Sequence, residues 1–181
     1  MAKQKKVLII SSSPREGNSL ALCEQFAAGA RTAGREVELI RLSDYSIGYC
    51  RACGHCNNHR GECTIKDDAS AVMHKMLDAD VIALATPAYF YSVSAQLKTL
   101  IDRSCPYYLE LGNRDYYYLV SAFDPDADHI QPVIAALRGF TADCIPDCRE
   151  KGMVIAAGVA GIGDIDGTPY LKQAYDLGRK C

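Results

Sequence analysis

Short buried strands alternate with helices along the whole sequence, and this alternation restricts the possible folds more than any other feature. Five apolar or aromatic runs predict strands, at positions 7–11, 36–41, 81–85, 116–121 and 153–159. Apolar residues at helical spacing predict helices over about 19–33, 69–77, 97–101, 130–140 and 170–177. The first strand is uniformly apolar, which is typical of a strand covered on both faces. Because a right-handed crossover returns each strand to the same sheet, the pattern predicts a parallel sheet with helices on both faces.

Five strands joined in this way favour the flavodoxin-like strand order 2-1-3-4-5. The predicted fold class is therefore α/β, a three-layer sandwich in which a five-stranded parallel sheet lies between two layers of helices. The 181 residues show no break in composition, so we expect one domain over 1–181. The least regular stretch, at about 43–68, is predicted to be a cysteine-rich insertion, and a connection of that length in a compact domain is usually functional.

The charge distribution argues against nucleic acid as a partner, and the length of the apolar runs argues against a membrane span. The formal net charge is -2, and acidic and basic residues are mixed along the chain without the basic stripe that a nucleic-acid-binding surface requires. The apolar run after the basic start MAKQKK is too short for a signal peptide or a membrane span. We therefore expect a cytoplasmic protein that binds neither nucleic acid nor membranes.

The segment SSSPREGNS, at 11–19, joins the first strand to the first helix. Hydroxyl and amide side chains there, together with the N–H groups at the start of the helix, favour an anion. A Walker A lysine is missing from the segment, which favours a phosphate monoester held by hydrogen bonds. The alternative is a plain turn in which Asn18 or Ser19 caps the helix. The position favours a ligand, because open α/β sheets bind ligands where the order of strands reverses.

Four of the nine cysteines crowd into the insertion with the spacing C-x2-C-x2-C-x6-C. They are Cys50, Cys53, Cys56 and Cys63. Thiols at this spacing could hold a [4Fe-4S] cluster. They could also bind zinc, with His55 or His59 in place of one thiol, or be free or redox-active thiols. The spacing alone leaves these three possibilities open.

Charged residues near the insertion have structural interpretations. Asp67 and Asp68 precede the helix that begins near Ala69, where acidic side chains cap exposed N–H groups. Asp102 and Arg103 end another helix, which favours an ion pair or an interface contact over acid–base chemistry. We therefore expect no general base among them.

Four segments taken together resemble the flavodoxin-like NAD(P)H-dependent FMN reductases, and in particular their iron-sulfur flavoprotein branch. In chain order they are SSSPREGNS, YCRACGHCNNHRGECTIKDD, TPAYFYSVSAQLKTLIDRS and GDIDGTPYLKQAYDLG. The likeness covers most of the chain. The sequence departs from the family pattern at Ser12, where glycine is usual.

The resemblance implies a set of FMN-binding residues. Those expected to hold the phosphate are Ser11, Ser13, Arg15, Asn18, Ser19 and Leu20. Those expected along the isoalloxazine ring are Pro87, Ala88, Tyr89, Phe90 and Tyr91, with Ser121 and Ala122 as further contacts. The alternative for the three aromatic residues is packing in the core or in a subunit interface. In the iron-sulfur branch, such a cysteine motif holds a [4Fe-4S] cluster beside the flavin.

The resemblance also implies a function. It is an FMN-dependent oxidoreductase that takes hydride from NAD(P)H and passes electrons to a quinone, a flavin or a protein acceptor. The flavin carries the chemistry, so no side chain is expected to be catalytic. Assembly into homodimers or homotetramers is implied as well. Two alternatives are a non-enzymatic electron carrier of the flavodoxin type, although such carriers are usually strongly acidic, and a metal- or redox-sensing module on the same fold.

Overall fold

The computed structural model describes residues 4–181 and contains a five-stranded parallel sheet in the order β2-β1-β3-β4-β5. The predicted fold class and strand order are therefore confirmed. The strands are β1 Lys6–Ser11, β2 Glu36–Arg41, β3 Val81–Pro87, β4 Asp115–Ser121 and β5 Arg149–Ala156.

Within residues 4–181, five long α-helices occur where helical spacing predicts them, and a sixth, very short α-helix lies inside the cysteine-rich insertion. The helices are α1 Asn18–Thr32, α2 His55–Asn58, α3 Ala69–Asp78, α4 Ala95–Arg103, α5 Gln131–Thr141 and α6 Pro169–Gly178. Within residues 4–181, none of the helices combines the length and the apolar character that a membrane span requires.

The sheet separates two apolar cores, because successive side chains of a strand point to opposite faces. In β1, Leu8 and Ile10 lie in the core formed with α3, α4 and α5. Val7 and Ile9 lie in the core formed with α1 and α6. Every residue of β3 is buried, as expected for a central strand covered on both sides.

The last strand differs from the prediction at both ends. It begins at Arg149, although the apolar run starts at Met153, and it ends at Ala156. Its polar first residues pair with β4 through the backbone, and Arg149 also forms an ion pair with Asp115 at 2.7 Å. An edge strand of this kind can extend through exposed residues because its ladder of hydrogen bonds does not depend on hydrophobic side chains. Gly158, with φ of 74°, turns the chain away beyond its end.

The carboxyl end of β1 lies at the reversal of strand order. Ser11 at that end is in register with Arg41 of β2 on one side and with Ala85 of β3 on the other. The chain leaves β1 for α1 on one face of the sheet and reaches β3 from α3 on the other face. The loops that follow β1, β3 and β4 therefore meet around one crevice, where sheets of this type bind ligands.

Candidate functional site

The N-terminus of α1 opens into this crevice without a side-chain cap. Its N-cap residue is Gly17, and no side chain accepts a hydrogen bond from the first turn. The two side chains that would cap the helix under the alternative of a plain turn bind elsewhere. Asn18 Nδ2 donates to the Gly161 carbonyl at 2.8 Å, and Ser19 Oγ is hydrogen-bonded to Ser121 Oγ at 2.6 Å. The first N–H groups of α1 thus lack partners within the helix, and the positive end of its dipole faces the loop.

The hydroxyl groups of the loop are ordered by hydrogen bonds. Ser13 Oγ accepts from the Arg15 N–H at 3.2 Å and donates to the Arg15 carbonyl at 2.9 Å. Ser12 Oγ donates to the Ala85 carbonyl at 2.8 Å and accepts from Ser94 Oγ at 2.8 Å. Ser12 does not have a positive φ, so its backbone does not require the glycine that is usual in the resembling family.

One buried acceptor in the loop lacks a partner among the described residues. Asn18 Oδ1 is buried without a hydrogen bond, while the Nδ2 of the same side chain is satisfied. Ser11, at the start of the loop, is buried, Leu20 is half-buried, and Arg15 is exposed at the surface. The only acidic residue of the loop, Glu16, forms an ion pair with Arg41. The loop therefore presents donors to the crevice without a free carboxylate.

The contact of Asn18 with Gly161 brings in a loop that sequence reasoning did not assign to the site. Asp164 Oδ2 accepts from the N–H groups of Ala160 at 2.9 Å and Gly161 at 2.6 Å and holds that loop closed. Ile162 is 71% exposed beside Gly17. In the sequence, the glycines and aspartates of GDIDG, at 163–167, indicate a loop. Only the fold shows that this loop approaches the start of α1.

After β3, the aromatic residues form a strained turn. The N–H and carbonyl groups of Tyr89 and Ser92 are bonded to each other at 3.0 Å in both directions. Phe90 and Tyr91 have φ of 48° and 56°, and positive values at both central positions are typical of a type I′ turn. This conformation costs non-glycine residues about 1–3 kcal/mol each and persists mainly at functional sites. Phe90 is fully exposed and Tyr91 is half exposed, so the alternative that they pack the core is wrong.

Hydrogen bonds connect this turn to the loop after β4. The Ala88 N–H donates to the Ser121 carbonyl at 2.7 Å, and the Tyr91 hydroxyl donates to Asp124 Oδ2 at 2.8 Å. Backbone and side-chain donors, including His129, lower the pKa of Asp124. The Ala122 N–H is bonded to β5. Hydrogen bonds of Ser19 and Ala88 with Ser121 therefore bring together three segments, 11–20, 87–91 and 121–122, at the carboxyl ends of β1, β3 and β4.

The four cysteines of the motif line one cavity of about 250 Å³. The same cavity is lined by Cys105, which sequence reasoning left among the scattered cysteines. In residues 4–181, no group of three or more His, Cys, Asp or Glu side chains is arranged to hold a metal ion. The thiols thus share a cavity but do not converge on one point.

Two contacts set the properties of individual thiols. A hydrogen bond from Thr64, with the sulfur and oxygen 3.5 Å apart, lowers the pKa of Cys53. Burial, followed by the neighbouring Cys105 sulfur 3.4 Å away, raises the pKa of Cys56 to about 11. Cys53 and Cys56 therefore differ in acidity, although they lie on the same loop.

A buried arginine at the end of α4 binds the cysteine-rich insertion, which is called the cysteine loop from here on. Arg103 is 3% exposed, and its Nη1 donates to the Gly48 carbonyl and to Asp67 Oδ2, both at 2.7 Å. Its Nη2 donates to Asp67 Oδ1 at 2.9 Å, to the Ile65 carbonyl at 3.4 Å and to Cys63 Sγ at 3.5 Å. One guanidinium therefore binds both ends of the segment that carries the motif.

Of the three aspartates, Asp67 caps α3 only in part, Asp68 does not cap it, and Asp102 forms an ion pair. Asp67 accepts from the Ala69 N–H at 3.1 Å, as a cap would, but its main partner is Arg103, which lowers its pKa to about 2. Asp68 accepts from the Ser46 N–H at 2.7 Å and does not cap α3. Asp102 pairs with Lys98 at 2.6 Å. The residues at the end of α4 are ion-paired as predicted, with separate partners.

Comparison with known proteins agrees with this geometry. Residues 5–123 match the model of the NADPH-dependent FMN reductases. The chain belongs to this family. It is 43% identical over 99 residues to an iron-sulfur flavoprotein of Archaeoglobus fulgidus and 44% identical over 102 residues to one of Methanocaldococcus jannaschii. The matches cover 55% and 56% of this chain but 48% and 52% of those proteins, so the chain spans about half the length of these relatives.

Solved structures extend the likeness to the whole fold. An NAD(P)H:quinone oxidoreductase from Methanothermobacter marburgensis superimposes with a TM-score of 0.80 over 98% of this chain and 96% of that one. The two sequences are 20% identical, so this likeness concerns the fold alone. It agrees with the flavodoxin-like architecture of this member of the FMN reductase family.

Proposed function

We propose that this protein is an FMN-dependent oxidoreductase that takes hydride from NAD(P)H and passes electrons to a quinone, a flavin or a protein acceptor. We further propose that its cysteine loop holds a [4Fe-4S] cluster. The observation that carries the proposal is the uncapped N-terminus of α1, which opens at the reversal of strand order inside a loop of hydroxyl groups.

The segment at 11–19, called the phosphate loop from here on, fits FMN in two ways: it offers hydrogen-bond donors, and it contains one hydrogen-bond acceptor that lacks a partner. The free N–H groups of α1, the hydroxyl of Ser13 and the guanidinium of Arg15 suit the phosphate, with Ser11, Ser19 and Leu20 around it. The buried Asn18 Oδ1 lacks a donor, and the ribityl hydroxyls of FMN are donors of the required kind. FMN therefore supplies what this loop lacks in both charge and hydrogen bonding.

The aromatic turn suits the isoalloxazine ring. The rings of Tyr89, Phe90 and Tyr91 are exposed and offer π-faces. Pro87 and Ala88 form the stretch of backbone that leads from β3 to these rings. Asp124 fixes the Tyr91 ring through its hydroxyl. Ser121 and Ala122, where β4 ends, complete the proposed set of ring contacts. The chemistry that bound FMN supplies is acceptance of a hydride from a reduced nicotinamide and release of electrons in one- or two-electron steps.

The cysteine loop fits a cluster better than a single metal ion. Zinc requires four ligands that converge on one point at about 2.3 Å from each sulfur. Each iron of a [4Fe-4S] cluster instead takes one thiolate from its own direction. Cys50, Cys53, Cys56 and Cys63 line one cavity but do not converge on one point, which supports the second arrangement over the first. Arg103, which donates to the Cys63 sulfur, would offset the negative charge of four thiolates.

Flavin binding tests the loop directly. Replacing Ser13 and Asn18 together by alanine removes a phosphate donor and the unsatisfied amide, and hydrogen bonds to charged groups contribute about 1.5–3 kcal/mol each. We expect FMN affinity, measured by quenching of flavin fluorescence in a titration, to fall about 100-fold. The matched control is Ser43→Ala, because that exposed serine contacts only Asp44 at 3.3 Å among the described residues. Unchanged flavin affinity in the double variant would contradict the assignment.

The same preparation separates enzyme from carrier. We expect the FMN-loaded wild-type protein to oxidise NADH or NADPH continuously when a quinone is present. FMN binding without any such turnover would overturn the proposed activity and favour the non-enzymatic electron carrier. Assembly into homodimers or homotetramers stays a prediction.

A further inference from the structure

The cavity of the cysteine loop contains a close pair of thiols that the four-cysteine motif does not include. The sulfur atoms of Cys56 and Cys105 are 3.4 Å apart, and the Cys56 S–H group points to the Cys105 sulfur. The two residues are separated by 49 positions in sequence. Cys56 lies in α2, and Cys105 follows the end of α4.

Hydrogen bonds on both sides of Cys105 maintain this approach. Two residues before it, Arg103 binds the carbonyls of Gly48 and Ile65, which flank the motif. Immediately after it, the Pro106 carbonyl accepts from the Gly61 N–H at 3.0 Å. The segment that carries Cys105 is thus fixed against the cysteine loop at three points. The fold therefore holds the backbone of Cys105 next to the loop that carries Cys56.

We propose that Cys56 and Cys105 form a reversible disulfide when the protein meets a hydroperoxide, and that this bond withdraws Cys56 from the set of cluster ligands. The disulfide itself depends only on the two thiols. Its effect on the cluster rests on the proposed function.

The reaction is balanced by the peroxide. Cys105 is the more exposed thiol of the pair, so its sulfur meets the oxidant first. The sulfur attacks one oxygen of hydrogen peroxide, the O–O bond breaks, the departing hydroxide takes the proton of the Cys105 thiol and leaves as water, and Cys105 becomes a sulfenic acid. The Cys56 sulfur then attacks the Cys105 sulfur, the S–S bond forms, and the sulfenic hydroxyl leaves as water with the proton of the Cys56 thiol. Two thiols lose two electrons, and hydrogen peroxide is reduced to two molecules of water. A dithiol reverses the change.

The distance to be closed is small. A disulfide requires about 2.05 Å between sulfur atoms, so the present 3.4 Å separation must shorten by about 1.4 Å. Both sulfur atoms line an open cavity, in which the side chains can move by that amount without displacing a packed core.

Peptide mapping tests the bond. The protein, purified without iron and reduced, is exposed to one equivalent of hydrogen peroxide, alkylated and digested with trypsin. We expect two of the nine thiols to resist alkylation and the tryptic peptides 52–60 and 104–114 to be joined. Fragmentation of the joined pair must place the link at Cys56 and not at Cys53. A link that uses Cys53, or oxidation without any link to 104–114, would overturn the proposal.

Variants separate the bond from the cluster. In Cys105→Ser, both thiols of peptide 52–60 should stay free after treatment with peroxide. The matched control is Cys144→Ser, which removes another exposed thiol and should form the link as the wild type does. Anaerobic addition of iron and sulfide should load the reduced wild type but not its oxidised form until dithiothreitol is added. If the link forms but the reduced protein takes up no iron, the cluster is wrong and the disulfide stands. If the oxidised protein loads iron while peptide mapping of the loaded sample still shows the link, the proposed withdrawal of Cys56 is wrong.

Discussion

The guanidinium of Arg103 is the most heavily constrained charge in the described part of the chain. Its side chain is 1% exposed and its Nε is buried without a hydrogen bond. Protein groups, and not water, therefore stabilise its charge. Both oxygens of Asp67 face it. A buried cation of this kind is tolerated only while its anion is present, because the unpaired charge would lack the water that it had in the unfolded chain.

Removing the anion should therefore be expensive. Asp67→Asn keeps the size of the side chain and leaves one carbonyl acceptor for Arg103. We expect the free energy of unfolding at pH 7, measured by urea denaturation, to fall by about 3 kcal/mol. The matched control is Asp102→Asn, because Asp102 pairs with Lys98 at the surface and such pairs contribute about 0–1 kcal/mol.

The cost of Asp67→Asn should also depend on pH. The folded pKa of Asp67 is about 2, below its ordinary value, so the carboxylate stabilises the folded state fully above the unfolded pKa and loses that effect as the pH falls through the folded pKa. The difference between wild type and variant should shrink between about pH 5 and pH 2. A difference that stays constant over this range would show that the charge of Asp67 is not what stabilises the loop.

Individual residues also mark where sequence reasoning stops. The pattern before α3 predicts that Asp67 caps the helix, and one of its oxygens does bind the Ala69 N–H. Its main partner, Arg103, lies 36 positions away, and no local pattern connects the two. Cys105 escaped the motif for the same reason. Contacts between distant segments depend on the fold, so a spacing rule cannot reveal them.

At the scale of elements, two glycines allow α1 and α6 to touch through their backbones. A Cβ atom built on Gly29 of α1 would lie 2.0 Å from the Tyr175 carbonyl oxygen. A Cβ atom on Gly178 of α6 would lie 2.1 Å from the Phe26 carbonyl oxygen. Side chains cannot yield here because the obstacle on each side is backbone. The two helices can therefore approach this closely only because Gly29 and Gly178 have no Cβ atom.

Gly29→Ala should separate these helices. We expect a loss of about 3 kcal/mol in the free energy of unfolding, the upper part of the range for overpacked cores. The control is Gly139→Ala in α5, where nothing lies within 4 Å of the added atom. That substitution should stabilise the protein by about 0.5–1 kcal/mol, because alanine loses less conformational entropy than glycine in a helix. Similar effects of the two substitutions in denaturation curves would contradict the packing argument.

The elements themselves were largely predictable from the sequence. Buried apolar runs and helical spacing identified all five strands and the five long helices, because burial on two faces and on one face leave different periods. The polar start of β5 was missed, since an edge strand needs no hydrophobic side chains there. The contact through Gly29 was missed as well, because a glycine on a helix face gives no sign of what approaches it.

At the scale of the whole molecule, α4 connects the two proposed binding sites. Ser94 at its start caps the helix and donates to Ser12 of the phosphate loop. Arg103 at its end binds the cysteine loop. Nine residues at the usual rise give a length of about 14 Å. The two sites therefore share one rigid support, but no described hydrogen bond joins a proposed phosphate ligand to a cysteine of the motif.

This arrangement predicts that binding of the proposed FMN and loading of the proposed [4Fe-4S] cluster can be abolished separately. Cys53→Ser should lower the iron bound after anaerobic loading from about four atoms per chain to nearly none, while FMN affinity stays within about twofold of the wild type. The Ser13 and Asn18 double variant should show the reverse, with weak FMN binding and full iron loading. Cys144→Ser should change neither quantity. Iron and sulfide assays and a flavin titration on the same samples measure both. If Cys53→Ser weakened FMN binding as strongly as iron loading, the cysteine loop would form part of the flavin site, and α4 would not separate two centres.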